Sequence, residues 1–327
     1  MKRLAATILT GVLAFAVHGF APATAQDFPS RPIQIFAPWP PGAVDSYIRF
    51  LQPHMEKQLG KPLIIENKPG ANGYLGTEQV MRAKPDGYTL LFNVTSSIVM
   101  GPLTSPDARF DVRKNFTPVT DVFVSPMVMV VRNALPVQNL QQFIDYAKSN
   151  PGKLNFGSPG NGSIPHLLGE TLNLAAGIKM THVPYKGFAP GVQALIANEL
   201  DMAFVSSGTI QSQIIAKRVR PIAIDAGQMA AGLAPVPDLT KALPGFDTVP
   251  TFAALWAPAG TPAAIVDRLN AAAVAALQVP EVRARIEDGG QVALGGSPAQ
   301  VAERISRTVE ISTRLVNAAK EAGVRFD

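Results

Sequence analysis

Phe156-Gly157-Ser158-Pro159-Gly160-Asn161-Gly162-Ser163-Ile164-Pro165-His166 is a short apolar run that breaks into a glycine-rich turn and reopens as a helix. A strand that passes through a tight turn into a helix is the repeating junction of an α/β sheet. At the helix start the first N–H groups have no internal partner and the peptide dipoles add partial positive charge. A carboxylate or phosphate is favoured there. The competing reading is that the glycines only permit the turn and Ser163 is an ordinary N-cap. A second turn of the same kind, Pro40-Pro41-Gly42-Ala43-Val44-Asp45, follows an earlier apolar run and adds weight to the anion reading.

The flanking sequence repeats the junction. Ile33-Gln34-Ile35-Phe36-Ala37 reads as a strand that the prolines at 38, 40 and 41 stop. Ile48, Leu51, Met55 and Leu59 recur at helical spacing, Gly60 closes that helix, and Pro53 inside it is expected to kink it. A strand at residues 63–66, a helix over 74–83 and a strand at 88–92 complete a parallel sheet with right-handed crossovers. Two apolar runs then meet across Ser125-Pro126, which reads as a first crossing between lobes. Strands and helices alternate again up to residue 224, giving a second parallel sheet. The proline-rich stretch 235–250 reads as irregular connection, and Phe252-Ala253-Ala254-Leu255-Trp256 carries the chain back. The tail is helical, with Pro262, Pro280 and Pro298 at first helical positions and a Ser297–Gln300 capping box.

Lys2 and Arg3, an apolar run to Phe20 and Ala23-Thr24-Ala25 have the form of a secretory signal peptide, an uncleaved anchor being the alternative. The expected division is a signal peptide at 1–25, lobe 1 at 26–125 and 251–327, and lobe 2 at 126–250. This is a two-lobed α/β fold of the periplasmic-binding-protein (Venus-flytrap, type II-like) kind, each lobe a mainly parallel sheet flanked by helices. The expected location is the periplasm. Loss of Lys2 and Arg3 takes the formal charge of +5 to +3 (5 − 2), which, with no run of Lys or Arg, argues against nucleic acid as a partner. The absence of cysteine excludes disulfides, thiolate nucleophiles and thiolate metal sites. His54, His166 and His182 have no zinc-ligand spacing, and no nucleophile elbow or phosphate loop is present. No catalytic residue, metal or cofactor is expected.

Open parallel sheets bind ligands beyond the carboxyl ends of their strands, where both glycine turns lie, one in each lobe. A small acid between them would meet two helix N-termini. Trp39, Pro41, Gly42, Ala43, Val44 and Asp45 are the candidates on the first turn, and Ser158, Asn161, Gly162, Ser163 and His166 those on the second. Asp45 either caps its own helix and pairs with Arg49 or accepts a hydrogen bond from the ligand. His166 is either a packing and capping group or a ligand contact. Tyr185-Lys186-Gly187 follows a strand and reads as a rim of the cleft, with Lys186 alternatively plain surface charge, and Ser206 and Ser207 form a third polar wall at a strand end.

These and further motifs resemble one family, the extracytoplasmic solute-binding receptors of tripartite tricarboxylate transporters (Bug or TctC type). The resemblance spans the mature chain. It rests on Glu66-Asn67-Lys68-Pro69-Gly70-Ala71-Asn72-Gly73, Pro85-Asp86-Gly87-Tyr88-Thr89-Leu90-Leu91, Phe116-Thr117-Pro118-Val119, residues 151–158, Thr181-His182-Val183-Pro184-Tyr185-Lys186-Gly187, Leu243-Pro244-Gly245-Phe246 and residues 257–262. It implies a receptor, not an enzyme, that closes on an organic acid and hands it to membrane permease subunits, and a monomer is expected. In the family the two loops matching 40–45 and 158–163 hold a ligand carboxylate, often through water. The first loop departs from the family pattern Pro-Pro/Ala-Gly-Gly-x-x-Asp: it is one residue short, with Ala43 at the second glycine. The third wall has Val205-Ser206-Ser207 where many members carry an acid or amide, which favours a plain di- or tricarboxylate over an amino acid. The rival readings are a carboxylate sensor for a two-component system and a secreted hydrolase or isomerase of an organic acid.

Overall fold

The computed structural model describes residues 28–70, 73–105, 107–225 and 235–325, so the segment read as a signal peptide lies outside the described residues. Lobe 1 opens with β1 (Ile33–Ala37), α1 (Ala43–Leu59), β2 (Leu63–Asn67), α2 (Tyr74–Met81) and β3 (Thr89–Val94). A π-helical turn, Ser96–Met100, runs into the short α3 (Gly101–Thr104), followed by α4 (Val112–Asn115) and β4 (Phe116–Val124). Lobe 2 contains β5 (Met127–Arg132), α5 (Leu140–Ser149), β6 (Asn155–Ser158), α6 (Ile164–Ala176), β7 (Thr181–Pro184), α7 (Phe188–Ile196), β8 (Met202–Ser206), α8 (Ser207–Ile215), β9 (Val219–Ile224) and α9 (Leu239–Ala242). The chain then returns through β10 (Phe252–Pro258), α10 (Ala263–Leu277), α11 (Pro280–Asp288), β11 (Val292–Ala293) and α12 (Pro298–Glu321).

The strands form two sheets, ordered β11-β4-β10-β3-β1-β2 and β7-β6-β8-β5-β9. Both are mixed rather than parallel throughout. β1 runs parallel to β2 and β3, and β6 parallel to β7 and β8. The strand that enters each sheet from the other lobe runs the opposite way: β10 lies antiparallel between β3 and β4, and β5 antiparallel between β8 and β9. A βαβ unit forces parallel pairing, whereas a strand arriving from outside the sheet is free of that constraint.

Alternation along the strands assigns each face to a different helical layer. Ile33, Ile35, Leu90, Phe92 and Leu255 face α1 and α10, meeting Ile48, Leu51, Met55, Leu269 and Ala273. Phe36, Leu91 and Trp256 face the other way, toward Tyr74, Val80 and the Val301 and Ile305 of α12. In lobe 2, Met129 and Val131 pack with Phe156, Phe204 and the α6 leucines, while Val128 and Val130 face Val192, Leu195 and Ile210. Burial of each such large side chain stabilises the fold by about 1.5–3 kcal/mol as an upper estimate.

Helix boundaries follow local chemistry. Gly60 takes the left-handed conformation expected of a residue just past a helix, and Pro53 lies within α1. Ser297 and Gln300 form the reciprocal capping box, with Pro280 and Pro298 opening α11 and α12. Pro262 is instead the residue that precedes α10, in extended backbone.

Three segments join the lobes. Ser125 and Thr251, on the two crossings, share a 2.7 Å backbone hydrogen bond from Ser125 N–H to the Thr251 carbonyl. Asp225, at the end of β9, accepts from Met127 N–H and from the Thr248 hydroxyl, at 2.9 Å each. The third connection is α12. Its first half packs on lobe 1 through Val301 and Ile305, and its last turns pack in the lobe 2 core through Val316 and Ala319. Residues 251–327 therefore serve both lobes in their packing.

Candidate functional site

The first turn sits at the carboxyl edge of the lobe 1 sheet, between β1 and α1, where prolines cannot donate to the ladder. A chain of side-chain bonds holds it. Gly42 N–H donates to Asp45 Oδ1 at 2.7 Å and Arg49 Nε to Asp45 Oδ2 at 2.8 Å. Arg49 also donates to Asn67 Oδ1 at 2.8 Å, and the Asn67 amide donates to the Trp39 carbonyl at 2.9 Å. Trp39 Nε1 in turn donates to Asn93 Oδ1 at 3.2 Å, and Asn93 Nδ2 reaches Thr77 and Ser97. The turn is thus tied to the last residue of β2 and to the end of β3.

Asp45 is only 2% exposed, and both carboxylate oxygens are engaged. Burial pushes its pKa up, but the bonds from Arg49, Gly42 and Asn67 together outweigh it and hold the carboxyl below its ordinary 3.8. Of the two sequence readings of Asp45, the geometry matches the capping residue paired with Arg49. The Gly42 N–H is likewise turned inward. Val44 packs its side chain on the lobe 1 core, so what it offers outward is its backbone. With Ala43, it supplies the first N–H groups of α1, which have no intrahelical partner. Pro41 is exposed and has no N–H to give.

The second turn joins β6 to α6 at the carboxyl edge of the lobe 2 sheet. Gly162 has φ 71°, a left-handed conformation that glycine adopts without penalty. Ser163 is the N-cap, its Oγ accepting from His166 N–H at 3.4 Å while its proton goes to the Gly160 carbonyl at 2.7 Å. Ser158 Oγ donates to the same carbonyl at 2.9 Å and lies 2.7 Å from His182 Nε2. Gly162 N–H donates to His166 Nδ1 at 3.2 Å. Asn161 is exposed at the tip. His166, 2% exposed, lies beneath the turn and is stacked on His182, which sequence reasoning left aside.

Tyr185 meets this edge with its backbone, its N–H donating to the Ser158 carbonyl at 2.9 Å, while its side chain turns away from it. Its ring covers Gly157 and Gly191 and packs in the cluster of Val128 and Leu200. Burial, and next the charge of Glu199, raise its pKa, and Glu199 precedes β8 whereas the candidate wall follows it. Ser206 does lie at the edge, sharing a 2.7 Å hydroxyl contact with Thr209. Ser207 opens α8, its N–H bonded to the Pro126 carbonyl at 2.9 Å, and its buried hydroxyl has no hydrogen-bond partner among the described residues.

α8 also brings the lobes together. A Cβ built on Gly208 would lie 1.9 Å from the Gly289 carbonyl oxygen, and one on Gly290 would lie 2.4 Å from Gly208 Cα. Gly289 is in turn packed on the Tyr47 hydroxyl of α1. The third wall of lobe 2 thus rests on the α11–β11 turn of lobe 1, which packs on α1 two residues beyond Asp45. Sequence reasoning missed this contact, as it missed Asn67 and Asn93. The two asparagines had a usable signal, since Asn67 ends β2 and Asn93 is one residue from the end of β3, at the edge where such sheets bind ligands.

Among the described residues no group of three or more His, Cys, Asp or Glu could hold a metal ion, and no helix is long and apolar enough to cross a membrane. A family profile described as tripartite tricarboxylate transporter family receptor matches residues 47–320. A UPF0065 protein from the tcbD-tcbE intergenic region of Pseudomonas sp. strain P51 is 34% identical over 292 residues, 88% of this chain and 86% of its own. MatC from Rhodopseudomonas palustris, solved with bound malate, is 30% identical with a TM-score of 0.72, covering 88% of this chain and all of that one (100%). An R. palustris protein solved with adipate is 26% identical with a TM-score of 0.76, covering 91% of this chain and 99% of its own.

Proposed function

We propose, on the premise that this chain belongs to the tripartite tricarboxylate transporter receptor family, that it captures a small di- or tricarboxylate between its lobes for the membrane subunits of such a transporter. Membership of that family makes it a periplasmic-type solute-binding receptor and not an enzyme. In this reading a cleaved N-terminal signal peptide exports it, and it works as a monomer.

The observation that carries the substrate class is the pair of helix N-termini, α1 and α6, each following a turn at the carboxyl edge of its sheet and each free of Lys and Arg. Such termini attract anions through neutral donors. The Ala43 and Val44 N–H groups supply the lobe 1 half, and the first turn of α6 with Ser158 the lobe 2 half. The malate and adipate bound by structural relatives are acids of this class. A ligand that touches both halves stabilises the closed arrangement, since only there does it gain both sets of contacts.

Calorimetry on ligand-stripped protein tests the class with malate, adipate, succinate and citrate. Binding of at least one at about micromolar Kd, worth about 8 kcal/mol, is expected. No heat and no thermal shift with any C4 to C6 di- or tricarboxylate would remove the class.

A further inference from the structure

We infer that His166 and His182 are positioning residues of the capture site, a stacked pair whose proton placement sets which atoms of the 158–163 turn are free to meet a ligand. The inference rests on the reading above that this turn contacts the bound acid.

The rings lie 3.7 Å apart, 9° from parallel, with Phe156 of β6 beside the stack, 5.0 Å from His182 and 6.4 Å from His166. Each ring holds one atom of the turn. Gly162 N–H donates to His166 Nδ1, and a nitrogen that accepts cannot carry a proton. The proton of neutral His166 is therefore on Nε2, which faces Glu170 Oε1 at 3.8 Å.

The His182 proton is assigned through Ser158. Ser158 Oγ is 2.9 Å from the Gly160 carbonyl, which can only accept, and it accepts the Gly160 N–H at 3.2 Å; we place the serine proton toward the carbonyl. With that placement His182 Nε2, 2.7 Å from Ser158 Oγ, is the donor. Both histidines are thus Nε2–H tautomers.

Two consequences reach the site. His182 supplies Ser158 with a hydrogen bond that leaves the serine proton uncommitted to the histidine. Because Ser163 Oγ also donates to the Gly160 carbonyl, the Ser158 proton can swing to an incoming carboxylate without orphaning that oxygen. His166, for its part, draws the Gly162 N–H inward and so fixes the orientation of the peptides on either side.

The arrangement requires neutral rings. A proton on His166 Nδ1 would face the Gly162 N–H donor to donor, and charge on both rings would meet across the stack. Around the pair, Glu170 of α6 is the acid that faces it, β6 contributes the uncharged Phe156 and Ser158, and α12 packs on α6 through Val316 and Ala319. Burial lowers both pKa values to about 4, with His166 further lowering that of His182, so the pair is neutral at pH 7.

The test uses amide mimics. Asn places an acceptor where His Nδ1 stands, and Gln places a donor where His Nε2 stands. His166→Asn and His182→Gln are expected to bind whichever of malate or adipate the wild type binds within about threefold. His166→Leu and His182→Leu, which leave a turn atom unpaired, are expected to lose about tenfold to a hundredfold. Long-range 1H–15N spectra of the ligand-free wild type should show two neutral Nε2–H imidazoles. An Nδ1–H tautomer at either position, leucine variants that bind like wild type, or equal losses in all four variants would overturn the inference. If the wild type binds neither acid, the variants are compared on whichever C4 to C6 di- or tricarboxylate it does bind; if it binds none, the carboxylate reading fails, and the spectra still decide the tautomers.

Discussion

Gly208 of lobe 2 and Gly289 of lobe 1 are in backbone contact so close that no side chain fits between them: a Cβ on Gly208 would come within 1.9 Å of the Gly289 carbonyl oxygen. Gly208 lies in the first turn of α8 with ordinary helical backbone, so alanine is conformationally welcome there. On the proposed reading that the ligand-free lobes separate, the clash arises only on closure. Gly208→Ala is therefore expected to leave the ligand-free melting temperature unchanged or slightly raised. Overpacking the closed contact by about 1–3 kcal/mol should weaken ligand binding roughly 5- to 150-fold. Calorimetry beside small-angle scattering would check it, and unchanged affinity with full compaction on binding would disprove a role for this contact in closure.

Asp45 bears on stability through the bonds it accepts. Asp45→Ala leaves the Gly42 N–H and the Arg49 Nε–H without their acceptor, at a cost of about 1–3 kcal/mol, and frees the first turn from α1. Because the folded carboxyl titrates below its ordinary 3.8, the unfolded chain binds more protons in that range. The contribution is thus complete above pH 3.8 and is lost as pH falls through the lower folded value. Chemical denaturation of wild type and Asp45→Asn across acid pH should show this slope in the first and its loss in the second.

The alternating turns and apolar runs made two α/β lobes legible, because a βαβ unit writes its period into the chain. Strand direction in β5 and β10 was not legible, since it depends on the edge at which a crossing strand enters rather than on any local pattern. The same holds for α12, whose apolar spacing looks uniform although Val301 and Val316 enter different cores. At the site, the strand end at Phe92 looked complete because its apolar run stops there. Asn93 is nevertheless buried inside β3, where a carboxamide with its bonds satisfied is tolerated. His182 was passed over because a stack between distant residues has no sequence period.

The histidine pair gives the fold a second pH dependence, of defined sign. His166 and His182 drop from 6.5 to about 4 on folding, mainly through burial. Between those values the unfolded chain binds more protons than the folded one, so stability rises with pH across this window and is complete above 6.5. Unfolding free energy is expected to fall by a few kcal/mol, on the order of 1.4 per pKa unit for each ring, from pH 7 to pH 4. The double variant His166→Asn, His182→Gln should flatten that slope. Denaturant melts at half-unit pH steps would measure it, and an equal slope in both proteins would assign the dependence to other groups.

The two tryptophans offer a separable report of ligand capture. Trp256 is fully buried in β10 between the layers of lobe 1, whereas Trp39 is half-buried in the first turn, its Nε1 held by Asn93. On the proposed closure around an acid, the surroundings of Trp39 should change and those of Trp256 should stay as they are. Trp256→Phe is therefore expected to keep the fluorescence change on adding malate or adipate, whichever binds, while destabilising the fold by about 1–3 kcal/mol. Trp39→Phe should abolish the change with little loss of stability. Asn93→Ala separates position from presence: it removes the acceptor of Trp39 Nε1, so the indole should emit differently before ligand is added and respond less to it. A response that survives in Trp39→Phe would place the ligand away from the first turn.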